Sequence, residues 1–188
     1  MKEINNIKIL LLGDSGSGKT SYLHKYMNDE FKKDSELTIG IDYATRIVNN
    51  TKIDIWDTAG QEVFRSITTS YFRSANGVLI FMDLTNIDSI NNIEYWINDY
   101  LNKSGNDKKS ILLVGNKKDS TRAVTFEDGN EISKYFNISY VEISVKNDTT
   151  ELLENIMNNL ITNIEATSSR NIKIHIKEKK KTTLFCNI

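Results

Sequence analysis

The sequence predicts an α/β fold built on a mainly parallel sheet. Short, continuous apolar runs alternate along the chain with longer stretches of helical spacing, which is the order of repeated βαβ units. One pair of strand-like runs around Asn49-Asn50 is too close for a crossover and adds a single antiparallel hairpin. The elements follow in order. Ile7 to Leu12 reads as a buried strand, then a Gly-rich turn and a helix through about Met27. Ile41 to Val48 and Thr51 to Trp56 are the hairpin strands. Gly77 to Met82, Ser110 to Val114 and Ser139 to Ile143 are short runs of the fully buried type. Asp88 to Leu101, Phe126 to Phe136 and Thr149 to Ile164 have helical spacing; Ile90, Ile93, Tyr95, Trp96, Ile97 and Leu101 fall mostly on one face.

At 188 residues the chain is the size of one domain, long enough to bury roughly 70% of its unfolded surface without disulfides. Apolar residues make up 39% and charged residues 26%, the balance of an ordinary globular chain. The single cysteine, Cys186, excludes a disulfide framework and a cysteine-based zinc site, and suits a reducing compartment. No apolar run is long enough for a membrane span, and the N-terminus lacks the apolar stretch of a secretory signal. A net charge of −1 gives no global basic field for nucleic acid. The charge is uneven, however. Residues 170–188 carry six basic residues against Glu178, a net +5, which leaves −6 on the rest. The expected organisation is a domain over 1–165 and a flexible basic tail over 166–188.

Three loops carry chemistry. Gly13-Asp14-Ser15-Gly16-Ser17-Gly18-Lys19-Thr20 follows the first strand and opens a helix, with Ser21 next. This pattern wraps backbone N–H groups around a polyphosphate, places Lys19 on the β/γ-phosphates, and offers the Thr20 hydroxyl to Mg²⁺. Asp57 ends another strand, where a carboxylate can orient Mg²⁺. Gly60 beyond it permits close approach to the γ-phosphate, and the Gln61 amide can both accept from and donate to an attacking water. Asn116-Lys117-Lys118-Asp119 lies just past a third strand. Guanine presents two adjacent donors that a carboxylate such as Asp119 accepts, whereas the adenine N1 acceptor would be repelled. A further loop, Ser144-Val145-Lys146, can give backbone N–H groups to guanine O6.

These four motifs in order resemble the Ras-like small GTPases, over about residues 6 to 164. Thr38-Ile39-Gly40-Ile41-Asp42-Tyr43, Trp56-Asp57-Thr58-Ala59-Gly60-Gln61-Glu62 and Tyr71-Phe72-Arg73-Ser74-Ala75 are most similar to the Rab subfamily. The resemblance implies a phosphate-loop small G domain: a mixed six-stranded sheet with five helices on both faces, and a GTP-on, GDP-off switch in vesicle traffic. It implies that Thr38 is a further Mg²⁺ ligand that senses the γ-phosphate and that Phe31 lies against the guanine edge. It also implies that Tyr43, Trp56 and Tyr71 are read by effectors, and that an exchange factor and an activating protein act on a monomer. Hydrolysis then rests on Lys19, Thr38 and a water positioned by Gln61. No arginine of the phosphate loop or of residues 32–40 is placed to act in cis, so intrinsic turnover is expected to be slow. Cys186, with two residues after it, is not a C-a-a-X box but is open to prenylation that would hold the tail on a cytosolic membrane face.

Four departures from the family pattern stand out: Val63, Ser74, Ser120 and Val145. Val145, in place of alanine, is expected to crowd the base loop and speed nucleotide release. The competing readings are another phosphate-loop kinase or ATPase, a nucleotide-locked scaffold, and another Ras-like branch.

Overall fold

Strand β1, Asn5–Gly13, divides the core in two, because successive side chains of a strand point to opposite faces of its sheet. Ile7, Ile9 and Leu11 enter one apolar cluster and Leu10 and Leu12 the other. The computed structural model describes residues 5–31, 41–48, 50–58, 69–105 and 108–166.

The remaining elements, in chain order, are α1 (Lys19–Asn28), β2 (Ile41–Val48), β3 (Thr51–Thr58), α2 (Thr69–Phe72), β4 (Gly77–Asp83), α3 (Asp88–Ser104), β5 (Ile111–Asn116), α4 (Phe126–Phe136), β6 (Ser139–Glu142) and α5 (150–166). The six strands form one sheet in the order β2-β3-β1-β4-β5-β6. Only β2 and β3 pair antiparallel; Val48 faces Thr51 across the turn, and Asn50 takes a left-handed φ of 64°, which asparagine tolerates. The expected mixed six-stranded sheet with helices on both faces is therefore present.

Helices α1 and α5 cover one face through Tyr22, Leu23, Tyr26, Leu153, Met157 and Leu160. Helices α2, α3 and α4 cover the other through Phe72, Ile93, Trp96, Tyr100 and Phe136. Burial on both sides is why β4 and β5 are continuous apolar runs without alternation. Edge strand β2 is intermediate to exposed along its whole length and mixes polar with apolar residues.

Boundaries differ from the sequence reading where hydrogen bonding outlasts the apolar pattern. β3 runs on to Thr58, so Asp57 is inside the ladder, opposite Asp42. α3 runs three residues past Leu101 to a left-handed Gly105. The four-residue α2 is too short to show a helical period, so the apolar pattern does not mark it; it completes the five helices that the resemblance implies. The parallel strands end together at Gly13, Thr58, Asp83, Asn116 and Glu142, so every loop that carries chemistry emerges from one edge of the sheet.

Candidate nucleotide-binding site

The phosphate loop owes its shape to two glycines that nothing else could replace. Gly13 has φ 134° and a Cβ there would lie 2.4 Å from the Phe81 carbonyl oxygen. Gly18 has φ 98° and its Cβ would lie 2.1 Å from Asn116 Nδ2. The loop closes on the Asp14 carbonyl, which accepts from Ser17 N at 3.3 Å, Ser17 Oγ at 2.8 Å and Lys19 Nζ at 2.8 Å. Lys19 Nζ also donates to the Gly13 carbonyl at 2.8 Å. Burial pulls the Lys19 ammonium down to about 8, against the opposing pull of Asp57 and Asp14. Ser15 and Gly16 form the turn of the loop, and Ser21 lies in the first turn of α1.

Asp14 does something the sequence did not suggest. Its carboxylate accepts from Asn92 Nδ2 and Trp96 Nε1 of α3, both at 3.0 Å. Only its backbone belongs to the loop. This orientation takes a negative charge away from a polyphosphate site and clamps the loop to α3.

At the start of α1 the Thr20 hydroxyl donates to Asp57 Oδ2 at 2.6 Å. Asp57 is fully buried. A hydroxyl and a carboxylate beside a phosphate loop are the hard oxygen donors that Mg²⁺ takes together with substrate phosphates. The residues present fit that ion.

Asn116 ties the base-reading loops to the phosphate loop. Its Nδ2 donates to the Ser17 carbonyl at 2.9 Å and its Oδ1 accepts from Val145 N at 3.1 Å. Asp119 Oδ1 accepts from Ser144 Oγ at 2.6 Å, and this bond holds the Asp119 carboxyl below its ordinary range. Asp119 is therefore ionised at neutral pH, where its carboxylate can only accept. Asp148 orders the loop after β6 by accepting from Ser144 N and pairing with Lys118, each at 2.8 Å. Lys117 takes a left-handed φ of 69° and its ammonium pairs with Asp83 Oδ2 at 2.6 Å.

Val145 corrects an expectation. Its side chain is 2% exposed and belongs to the core cluster that contains Tyr22, Ile143 and Leu153. The two extra methyl groups fill the core under α1, so crowding of the base-reading face finds no support in the geometry.

Phe31, 36% exposed, closes the described segment after α1. Tyr43 of β2, Trp56 of β3 and Tyr71 of α2 come together in a strip, with successive ring centroids 5.0 Å apart. The Lys8 ammonium lies 4.4 Å from the Trp56 ring centre and 5.5 Å from that of Tyr71. Arg46 is turned the other way, donating to the Tyr26 carbonyl at 2.8 Å and pairing with Glu154. Thr38, Gly60, Gln61, Val63 and Cys186 lie outside the described residues.

Sequence reasoning missed Asn92, Trp96, Asp83 and Lys25 as parts of the site's framework. No motif marks them: Asn92 and Trp96 reach Asp14 from α3, Asp83 reaches Lys117 from β4, and Lys25 reaches the base loop from α1.

A polyphosphate cradle joined through Asn116 to a carboxylate-bearing base loop, at the strand-end edge of this sheet, defines a phosphate-loop nucleotide-binding protein. The model of the Ras family matches residues 8–166. The chain is 43% identical over 147 residues to Ras-related protein SEC4 of Saccharomyces cerevisiae, covering 76% of this chain and 68% of that protein. It is 40% identical to Ras-related protein RABD2a of Arabidopsis thaliana over 148 residues, 76% of this chain and 72% of that one. It is 36% identical to Ras-related protein Rab-8A of Rattus norvegicus over 196 residues, 95% and 93% of the two chains. The chain belongs to the Ras family and is a Rab-like small GTPase, which binds and hydrolyses GTP in vesicle and membrane traffic.

Proposed function

We propose that the switch cycle of this GTPase is run by the loops at one edge of the sheet acting as one site. In this reading Gly13 to Thr20 cradle the phosphates, with Asp14 contributing its backbone and Lys19 its charge. Thr20, Asp57 and Thr38 would hold Mg²⁺. The ion supplies charge neutralisation on the phosphate oxygens. Asn116, Lys117 and Asp119 take the base, with Phe31 against its edge and Ser144 to Lys146 at O6. Gln61 orients the attacking water and Gly60 lets the backbone approach the γ-phosphate. The observation that carries the reading is the Asn116 bridge: one side chain bonds the phosphate loop at Ser17 and the base loop at Val145, so both ends of a nucleotide are gripped from a single framework.

Recognition by partners belongs to the strip of Tyr43, Trp56 and Tyr71, which supports docking of exchange factors, activating proteins and effectors on a monomer. The domain is read as 1–165, and the basic 166–188 segment with Cys186 as its membrane tether. Among the described residues no helix is long and apolar enough to cross a membrane.

The test begins with the nucleotide released from purified protein. GDP or GTP is expected; ATP or ADP would sink the reading. Asp119→Asn should then lose guanine affinity and gain xanthine, whose C2 carbonyl accepts where guanine donates. Gln61→Leu should keep GTP and lose most of the hydrolysis stimulated by an activating protein. Unchanged GTP affinity in the first variant removes Asp119 as base reader, and unchanged single-turnover rates in the second remove Gln61.

A further inference from the structure

Lys25 is the one buried lysine besides Lys19 among the described residues, 8% exposed on the inner face of α1. Its neighbours on that face, Tyr22, Leu23 and Tyr26, are core residues. Burying an ammonium is costly unless its donors are satisfied. The acceptors are two backbone carbonyls, Val145 O at 2.9 Å and Lys146 O at 3.2 Å.

The geometry of the peptide bond turns this contact into a statement about the ligand side. A trans peptide unit is planar and directs its C=O and the following N–H in opposite directions. With the carbonyls of 145 and 146 drawn to Lys25, the N–H groups of Lys146 and Asn147 face away from α1. Asn147 N–H is used inside the loop, by Ser144 Oγ at 3.0 Å. Ser144 N–H is used by Asp148 and Val145 N–H by Asn116. That leaves the Lys146 N–H, directed out of the loop.

We infer that Lys25 is a positioning residue for base recognition: it fixes the peptide planes of 145 and 146 so that the Lys146 N–H is presented to the O6 acceptor of guanine. The same helix begins with Lys19 and Thr20 at the phosphate end, six residues or about 9 Å earlier. One rigid element then sets the distance between phosphate grip and base grip. The inference rests on the reading of Ser144 to Lys146 as the O6 loop, and its test separates the two.

The probes are GDP and 6-thio-GDP, in which sulfur, a weak acceptor, replaces O6. Dissociation of each is measured with Mg²⁺ from wild type, Lys25→Met and Lys25→Arg. Wild type should hold GDP about tenfold longer than the thio analogue. Lys25→Met should release GDP about tenfold faster and lose most of that discrimination. Lys25→Arg, which keeps the donors, should restore it. A Lys25→Met protein that speeds both nucleotides equally, with discrimination intact, makes Lys25 merely structural and overturns the inference alone. Absence of discrimination in wild type overturns it together with the O6 loop. Should methionine prevent folding, Lys25→Ala supplies the same comparison without a donor, and undiminished discrimination there is equally fatal.

Discussion

Lys19 is 5% exposed and its charge is held by two carbonyls of its own loop. With its ammonium pulled from 10.5 to about 8, this group binds fewer protons folded than unfolded between those values. The cost of keeping it charged, about 3 kcal/mol, is fully present below pH 8 and relieved as pH rises toward 10.5. A polyphosphate restores the charged form. Nucleotide binding at pH 9, where the phosphates are fully ionised, is therefore expected to take up part of a proton. Calorimetry in buffers of different ionisation heat measures that uptake, and buffer-independent heats at pH 9 would contradict the assignment. Val145 makes an opposite case, in which position reverses a sequence-based sign. Because its methyl groups fill the core, Val145→Ala should lower stability by about 1–2 kcal/mol and speed GDP release instead of slowing it. Urea denaturation and a GDP off-rate decide between the two signs.

At the scale of elements, α4 shows local and tertiary determinants side by side. Thr125 and Asp128 form a capping box, with Thr125 N donating to Asp128 Oδ2 at 2.8 Å and Asp128 N to Thr125 Oγ1 at 3.2 Å. The helix ends at Asn137 in a left-handed conformation, φ 54°. Its role is to hold β6 against β5 from the face opposite α1 and α5. Thr125→Ala should cost about 1 kcal/mol in urea denaturation and leave GDP dissociation unchanged, because the cap touches no loop of the site. A change in off-rate without a change in stability would place α4 in the nucleotide machinery. α1 has the converse character. Its N-cap, Gly18, makes no side-chain cap at all, and the helix begins where a phosphate can take the orphan N–H groups.

For the whole molecule, the uneven charge and the single cysteine motivate the proposed division into a body and a membrane tether. One lipid chain anchors marginally, and a cluster of basic residues adds about 1 kcal/mol each close to anionic lipid. Under this proposal the net +5 of residues 170–188 would be the second signal beside a lipidated Cys186. The intact mass of protein taken from its own cells should carry a prenyl increment that Cys186→Ser abolishes, with loss of membrane association. A cytosolic wild-type protein of unmodified mass would end the proposal.

The sheet, its one hairpin and the helices α1, α3, α4 and α5 were legible because they depend on short-range pattern: apolar runs, a 3.6-residue period and turn chemistry at Asn49-Asn50. The motif residues Lys19, Thr20, Asp57, Asn116 and Asp119 were legible too, since a backbone cradle and a base-reading carboxylate demand fixed residue types at fixed offsets. What the sequence could not determine is where a side chain points once its element is packed. Asp14 turns to α3, Val145 enters the core, and Lys25 reaches 120 residues along the chain to a carbonyl of the base loop. Those directions follow from which helix lies on which face of the sheet, and only the assembled core fixes that, because a strand or helix by itself satisfies its local hydrogen bonds equally well with either neighbour.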